Sequence, residues 1–349
     1  MHTLTLFISA LFPAVARERR AGGSGGAPHM PSLQTLLARG DAAAPTQCED
    51  EAAWLCGYFG LERQDDWPAA PAAALGAGLA PGDAYWLFAD PVHMKVHRDR
   101  LVLVAPQALA IERTEAAALC AALSAHFASD GVEFLAADAQ RWYLRRRAPA
   151  RIRTCGLSRA AGRDVDALLP EGEDRLAWHR LINEAQMLMH AHEVNQAREA
   201  RGDPAINSLW LSGGGKAAAV KAPCDAVAAD GALARGLARL AGLPCVPARD
   251  GSGALQTPSL AHAGSVLVEL DAALPAWLTS DDAGWQSALE DLERRWFAPL
   301  LRALSRGEIE RLDIAAVADG RAHRWSVRRP HLWRFWRAAK PLPGSAVSA

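Results

Sequence analysis

No run of the 349 residues reaches the ~18 consecutive apolar side chains that a bilayer-spanning helix needs, so that class of protein is excluded. An excess of charge is missing too. Lys and Arg number 38 against 39 Asp and Glu, a formal net charge of −1, which excludes polyanion binding driven by bulk charge and leaves only a local patch. The six cysteines are scattered, with no C-x-x-C pair and no histidine at zinc-finger spacing. That is too sparse for a disulfide scaffold and points to reduced thiols in a cytoplasm. No G-x-S-x-G turn or Ser/His/Asp set stands out. The glycine run Gly213-Gly214-Gly215-Lys216 is followed by Ala217, so it lacks the hydroxyl with which a phosphate loop holds magnesium.

What is there is globular. Half the residues are apolar and 22% charged, enough for a sizeable core and about two domains at ~150 residues each. Thr3 to Ile8 reads as a buried first strand. The alternative is a signal peptide ending at Ala14-Val15-Ala16, but its positive charges (Arg17, Arg19, Arg20) follow the apolar run instead of preceding it. Gly22 to Gly26 supply a loop, and Pro31 to Arg39 a short helix with Leu33, Leu36 and Leu37 on one face and Gly40 as its stop. Residues 68–82, rich in proline and glycine, read as loop. Short strands are expected at Tyr85 to Phe88, Lys95 to His97, Leu101 to Val104, Val132 to Phe134 and Trp142 to Arg145, with a helix at Thr114 to Ala128. A long helix over Glu173 to Arg201 follows. Strands at Asn207 to Leu211, Ala226 to Ala229, Ser265 to Leu270 and Leu312 to Val317 alternate with helices at Leu233 to Leu240 and Trp285 to Leu304, the pattern of a mostly parallel sheet covered on both faces.

Three local features invite a function. The glycine run could cradle an anion or be a plain strand-to-loop turn. His190, His192 and Glu193 could ligate a metal only if the helix has ended by then, because i, i+2 imidazoles point to different helix faces; otherwise they are a helix-terminal cluster. Trp333-Arg334-Phe335-Trp336-Arg337 could stack on bases, and docking of this segment on the protein's own core is the reading that argues against nucleic acid.

The passage His192-Glu193-Val194-Asn195, then Arg198, Gly202, Pro204, Asn207 and the glycine run, resembles a motif of the archaeal-type cofactor-independent phosphoglycerate mutases. Pro31 to Gly40, Ala74 to Gly78 with Pro81-Gly82-Asp83, and Ala226 to Leu243 are similar to other passages of that family in the same order. N-S-L-W-L-x-G-G-G and the W-R-F-W-R tail resemble RpfE-type regulatory proteins of bacteria. The resemblance implies the α/β fold of the alkaline phosphatase superfamily. That is a three-layer core, residues 1–72 and 160–349, with a mostly parallel sheet and an inserted smaller α+β domain at 73–159.

It also implies two divalent metals and a serine nucleophile, and here the residues depart from the pattern. The first-strand D-G becomes Ser9-Ala10, A-P-D-x-x-x-H becomes Asp271 to Trp277 without a histidine, and the late A-D-H becomes Ala318-Asp319-Gly320. No G-S-D exists near Thr46 to Asp50. The expectation is therefore a regulatory pseudoenzyme without metal or cofactor, engaging a protein partner or a small phosphorylated or carboxylate ligand. Its ligand contacts would be Arg141, His192, Asn195, Arg198, Asn207, Gly213, Gly214 and Gly215; the alternative has Asn195 and Asn207 capping turns and Arg198 solvated. The competing expectation is a divergent mutase or phosphohydrolase using Mn or Zn, with Cys48 or Thr46 as nucleophile.

Overall fold

The structure, a computed structural model, describes residues 3–12, 28–97 and 100–339. Ala14-Val15-Ala16, the arginines at 17, 19 and 20 and the glycines of 22–26 lie outside the described residues. The chain packs as two compact units. One holds Met1–Trp54 and Ala222–Ala349, the other Leu55–Lys221. The inserted unit is thus wider than the expected 73–159, because the helices and glycine-rich strand that follow residue 159 pack into the second core.

The first unit opens with strand β1 (Thr3–Ile8), helix α1 (Pro31–Arg39) and the short strands β2 (Asp41–Ala42) and β3 (Thr46–Gln47), then the first half of helix α2 (Glu51–Tyr58), whose residues from Leu55 on belong to the second unit. The second unit lays down α3 (Ala69–Gly76), β4 (Tyr85–His97), β5 (Arg100–Val104), α4 (Arg113–His126), β6 (Val132–Ala136), β7 (Trp142–Arg146), β8 (Ile152–Arg153) and β9 (Glu171–Gly172). It continues with α5 (Arg175–Ala191), α6 (Glu193–Arg201) and β10 (Ser208–Lys216). Back in the first unit come β11 (Ala226–Ala228), α7 (Ala232–Leu240), β12 (Cys245–Val246), β13 (Ser265–Leu270), α8 (Asp282–Leu292), α9 (Ala298–Arg306), β14 (Arg311–Ala318) and β15 (Arg321–Arg328).

The first unit's sheet runs β12-β11-β13-β1-β14-β15-β2, with β3 also beside β15. The five strands from β12 to β14 are parallel, and β15 closes them antiparallel through a hairpin. β1 therefore sits at the centre, which is why Leu4, Leu6, Phe7 and Ile8 are all fully buried. The second unit's sheet is antiparallel, in the order β10-β4-β7-β6, with β5 on β4. Its core draws on α4 and α5 through Leu119, Leu123, Trp178, Ile182 and Met189. The mixed α/β architecture with a central, mostly parallel sheet is that expected from the sequence.

Several local expectations are corrected. Residues 69–76 are helical, not loop: Pro71 lies in the first turn, where its missing N–H has no helical partner to lose, and the alanines favour helix. β4 is one strand of 13 residues running through Pro91, not two short ones. The long helix of 173–201 breaks at His192, whose extended backbone (ψ 141°) ends α5 and caps α6, its Nδ1 accepting from the Val194 N–H at 3.2 Å. The C-terminal rings do not dock. Trp333, Phe335 and Trp336 stand 74%, 74% and 70% exposed. Only the interleaved cations are tied down, Arg334 on Asp41 and the Arg39 carbonyl, Arg337 on the Gly40 carbonyl.

Between α8 and α9 the helix widens into one π turn, Glu293–Phe297. Glu293 is buried there and takes over the capping of α1. No side chain adjoining α1 caps it. Instead the Ser32 and Leu33 N–H groups donate to Glu293 Oε1 and Oε2 at 2.8 and 3.1 Å. Glu293→Ala should destabilise the first unit by about 1–3 kcal/mol, since two helix N–H groups lose their acceptor, and Glu293→Gln, which keeps one acceptor, by less. Urea unfolding of the three proteins checks the order.

Candidate functional site

The residues expected to hold a ligand in the second unit are placed by the break at His192. Asn195, one turn into α6, is buried; its amide donates to the Met189 and Ile206 carbonyls at 2.7 and 2.8 Å, and its oxygen accepts from the Ile206 N–H at 2.7 Å. It staples the end of α5 to the segment entering β10. Arg198 is 1% exposed. Its guanidinium donates to the Pro204 carbonyl at 2.8 Å, to Glu115 at 2.6 Å and to the Leu109 carbonyl. Glu115 in turn accepts from Arg201 at 2.8 Å and from the Glu112 N–H at 3.0 Å, the latter closing a capping box on α4. Burial works against the Glu115 charge, but these donors hold its carboxyl below the usual range. Asn207 pairs with the Met94 backbone through both ends of its amide, at 2.7 and 3.0 Å. All three side chains thus spend their polar atoms on the scaffold, and Arg198 does so buried, where the structural alternative drawn from the sequence had it solvated.

The glycine run is corrected from turn to strand. It lies within β10 as an irregularity where the pairing with β4 shifts between Ser212 and Gly215. Glycine is needed for closeness: a Cβ on Gly213, whose φ is +67°, would come within 2.9 Å of the Phe88 ring, and one on Gly214 or Gly215 would collide with Tyr85 or Pro68. The N–H groups that could have faced an anion point inward. Gly213 donates to the Thr154 hydroxyl at 3.0 Å and Gly214 to the buried Asp66 carboxylate at 3.3 Å. Thr154 itself donates to Asp66. A carboxylate of the chain's own occupies the place expected for a bound anion.

Of the expected contacts, Arg141 keeps an open side, its side chain 35% exposed. It lies over the Phe88 ring at 4.7 Å and donates to both oxygens of buried Asp90 at 2.8 and 2.7 Å. Burial pushes the Asp90 carboxyl up to about 6 although Arg141 pulls it down. His192 is half-buried as the cap described above, and His190 is exposed. His192 also lines an open groove of about 550 Å³ with Ala122, His126, Glu184, Met187, Leu188 and Ala191.

In the first unit the two candidate nucleophiles lie near the sheet edge. Thr46 is exposed in β3, opposite Ala322. The Cys48 thiol is pushed up to about 12, chiefly by burial and then by the negative charges of Asp50 and Glu51, so a thiolate is disfavoured. Asp319-Gly320, where the resemblance places a metal-binding histidine, is a two-residue hairpin turn joining β14 to β15, with φ of +49° and +74°. Among the described residues no group of three His, Cys, Asp or Glu side chains could hold a metal ion. The donor set that two divalent cations require is not brought together by them.

One cluster escaped the sequence reading. Ligands of open parallel α/β sheets bind beyond the carboxyl ends of the strands. At that edge Glu269, the sole charge in the run Ser265–Leu270, is buried. Its carboxyl is pushed up to about 8, first by burial and then by Asp271 and Asp230, while the Gly231 N–H and Arg235 pull it down. Asp271, half-buried, is raised for the same reason. A carboxylate interrupting an apolar strand was the available signal.

Two outcomes follow. Arg198→Met should cost about 3–5 kcal/mol in urea unfolding, because it leaves Glu115 short of its buried partner. The raised Glu269 makes its protonated form the stabilising one, an effect complete below its ordinary value of 4.5 and lost as pH rises through 8. Thermal midpoints measured from about pH 5 to about pH 9 should therefore fall more steeply for the wild type than for Glu269→Gln.

No family model matches the chain. A stretch of 159 residues, 40% of the chain, is 28% identical to the 2,3-bisphosphoglycerate-independent phosphoglycerate mutase of Methanosarcina mazei and spans 39% of that protein's length. The fold is similar to that of the PH0037 protein from Pyrococcus horikoshii, with a TM-score of 0.53 at 14% identity over 94% of this chain and 87% of the other. The cofactor-independent phosphoglycerate mutase of Thermoplasma acidophilum aligns over 100% of this chain and 95% of its own at 15% identity, with a TM-score of 0.46. Sequence similarity to a phosphoglycerate mutase over two fifths of the chain, and a shared fold with PH0037 over nearly all of it, are what the comparisons establish.

Proposed function

We propose that this protein is a cytoplasmic regulatory protein on a phosphoglycerate-mutase-like scaffold, not a phosphoryl-transfer enzyme. The observation that carries this reading is Arg198. An arginine that grips a substrate phosphate must present its fork of donors to a cleft, and here the fork is buried on Glu115 and two backbone carbonyls. The inward-turned glycine run and the raised Cys48 thiol support it. A regulatory role rests on the resemblance to RpfE-type proteins and calls for a protein partner. Arg141 is the residue left to touch a phosphorylated or carboxylate ligand, since Asp90 takes one of its guanidinium nitrogens and its outer side is open.

The similarity to the Methanosarcina enzyme favours a second reading, a divergent mutase or phosphohydrolase holding Mn or Zn and attacking through Cys48 or Thr46. The two readings part in one experiment. Purified full-length protein is incubated with Mn²⁺, assayed for interconversion of 2- and 3-phosphoglycerate, and analysed for bound metal. The regulatory reading expects no turnover above the blank and no stoichiometric metal. Turnover with two metals per chain, abolished by Cys48→Ala or Thr46→Ala, would overturn it.

A further inference from the structure

Three rings near the C-terminus stand in water although the backbone that carries them is tightly fastened. Trp333, Phe335 and Trp336 are all exposed, the last two in edge contact at 5.5 Å. Around them Arg39 donates to the Leu332 carbonyl at 2.7 Å, Arg334 to Asp41 and, at 3.1 Å, to the Arg39 carbonyl, and Arg337 to the Gly40 carbonyl at 3.0 Å. The turn itself is closed by the Phe335 N–H on the Trp333 carbonyl at 2.8 Å and the Arg337 N–H on the Arg334 carbonyl at 3.0 Å. These bonds draw the two interleaved guanidiniums back onto the junction of α1 and β2 and leave the rings outside. A single exposed ring is ordinary, but three within four residues of fastened backbone make an apolar patch of the kind that meets another surface.

The charge around the patch identifies that surface as anionic. Residues 320–349 contain seven Lys and Arg and no Asp or Glu, which leaves 31 basic against 39 acidic residues, a formal charge of −8, for the rest of the chain. Arg324 and Arg328, four apart on β15 and so on one face of it, are exposed, as is Arg329. Asp41, the carboxylate at the patch, is offset by Arg334 and Arg337. An anionic surface therefore attracts this end of the chain and repels the remainder. A single-stranded nucleic acid would stack its bases on the rings and need cations between them for its phosphates. Here the cations between the rings are turned inward. A bilayer interface asks for the reverse, uncharged rings at the point of contact with cations beside it.

We infer that Trp333, Phe335 and Trp336 insert into the interfacial layer of an anionic membrane, with Arg324, Arg328 and Arg329 against its phosphate headgroups. Such a peripheral contact needs no spanning helix. Rings and cations are each weak signals, and together they give a reversible attachment. The inference stands apart from the question of catalysis, since the patch uses none of the residues weighed as nucleophiles or phosphate contacts.

The test is sedimentation of the full-length protein with vesicles of phosphatidylcholine alone and of phosphatidylcholine mixed with phosphatidylglycerol. Expected is partitioning onto the mixed vesicles at ~0.1 M salt, at least ~tenfold weaker on pure phosphatidylcholine or at ~1 M salt. Trp333→Ala combined with Trp336→Ala should weaken partitioning at least ~tenfold, and Arg328→Gln combined with Arg329→Gln by a smaller factor. The four side chains are exposed, so both variants keep the wild-type urea midpoint. Vesicles with brominated acyl chains should quench part of the tryptophan emission of the wild type and none of that part in the ring variant. Failure to bind the mixed vesicles, or equal binding by the ring variant, would overturn the inference. So would tighter binding to polyuridylate than to the vesicles, lost in the ring variant, which would make the patch a base-stacking site. A dimer in vesicle-free buffer that the ring variant converts to monomer would assign the rings to a second copy of the chain and overturn it equally.

Discussion

A guanidinium taken out of water must find acceptors on every side, and the second unit is organised around that demand at Arg198. The demand explains why α5 stops where it does. If the helix ran on through His192, Arg198 would be carried away from Glu115 and the Leu109 carbonyl, and Asn195 would miss the Ile206 backbone. The break reorients nine residues so that one side chain ties α6 to α4 and another ties α5 to the start of β10. Once those ties are made, β10 enters the sheet in the register that sets its glycines against Phe88, Tyr85 and Pro68. The arrangement uses charged and amide groups as internal fasteners. That use competes with any role in gripping a ligand, because a donor bonded inside the fold is not available outside it.

The same economy recurs elsewhere. Asp66 fills the glycine-lined position that an anion could take, and Glu293 fills the place of a capping residue for α1. In both, a carboxylate supplied by a distant part of the chain satisfies backbone N–H groups that a sequence motif would have assigned to something external. A motif records which residue types are present; the direction in which the N–H groups point is settled by packing. In the glycine run and the Arg/Asn passage the hydrogen bonds close inward.

Much of the first unit could be read from its residues. β1, β13 and β14 are mostly apolar because strands buried on both faces have little solvent side to mark with polar residues, and such runs announce themselves even with a charge such as Glu269 or Asp313 in them. The helix at Pro31–Arg39 carried its own start and stop signals. The failures have physical reasons. Proline density suggested loop at 69–76, although a proline in a first helical turn costs little. A strand passing through Pro91 cannot be distinguished by composition from two short ones. The aromatic tail suggested burial, yet only its arginines found partners. The acidic cluster at Glu269 was hidden because Asp230 and Asp271 lie on separate elements, which the parallel pairing of β11 with β13 brings near one another.

The central position of β1 bears on how the polypeptide is made. β1 lies between β13 and β14, whose residues leave the ribosome about 260 and 310 positions later. Meanwhile the second unit draws its sheets and its core from one contiguous stretch of sequence. During synthesis β1 must wait, unpaired and strongly apolar, while that contiguous unit is completed, and in that interval it is open to capture by a chaperone.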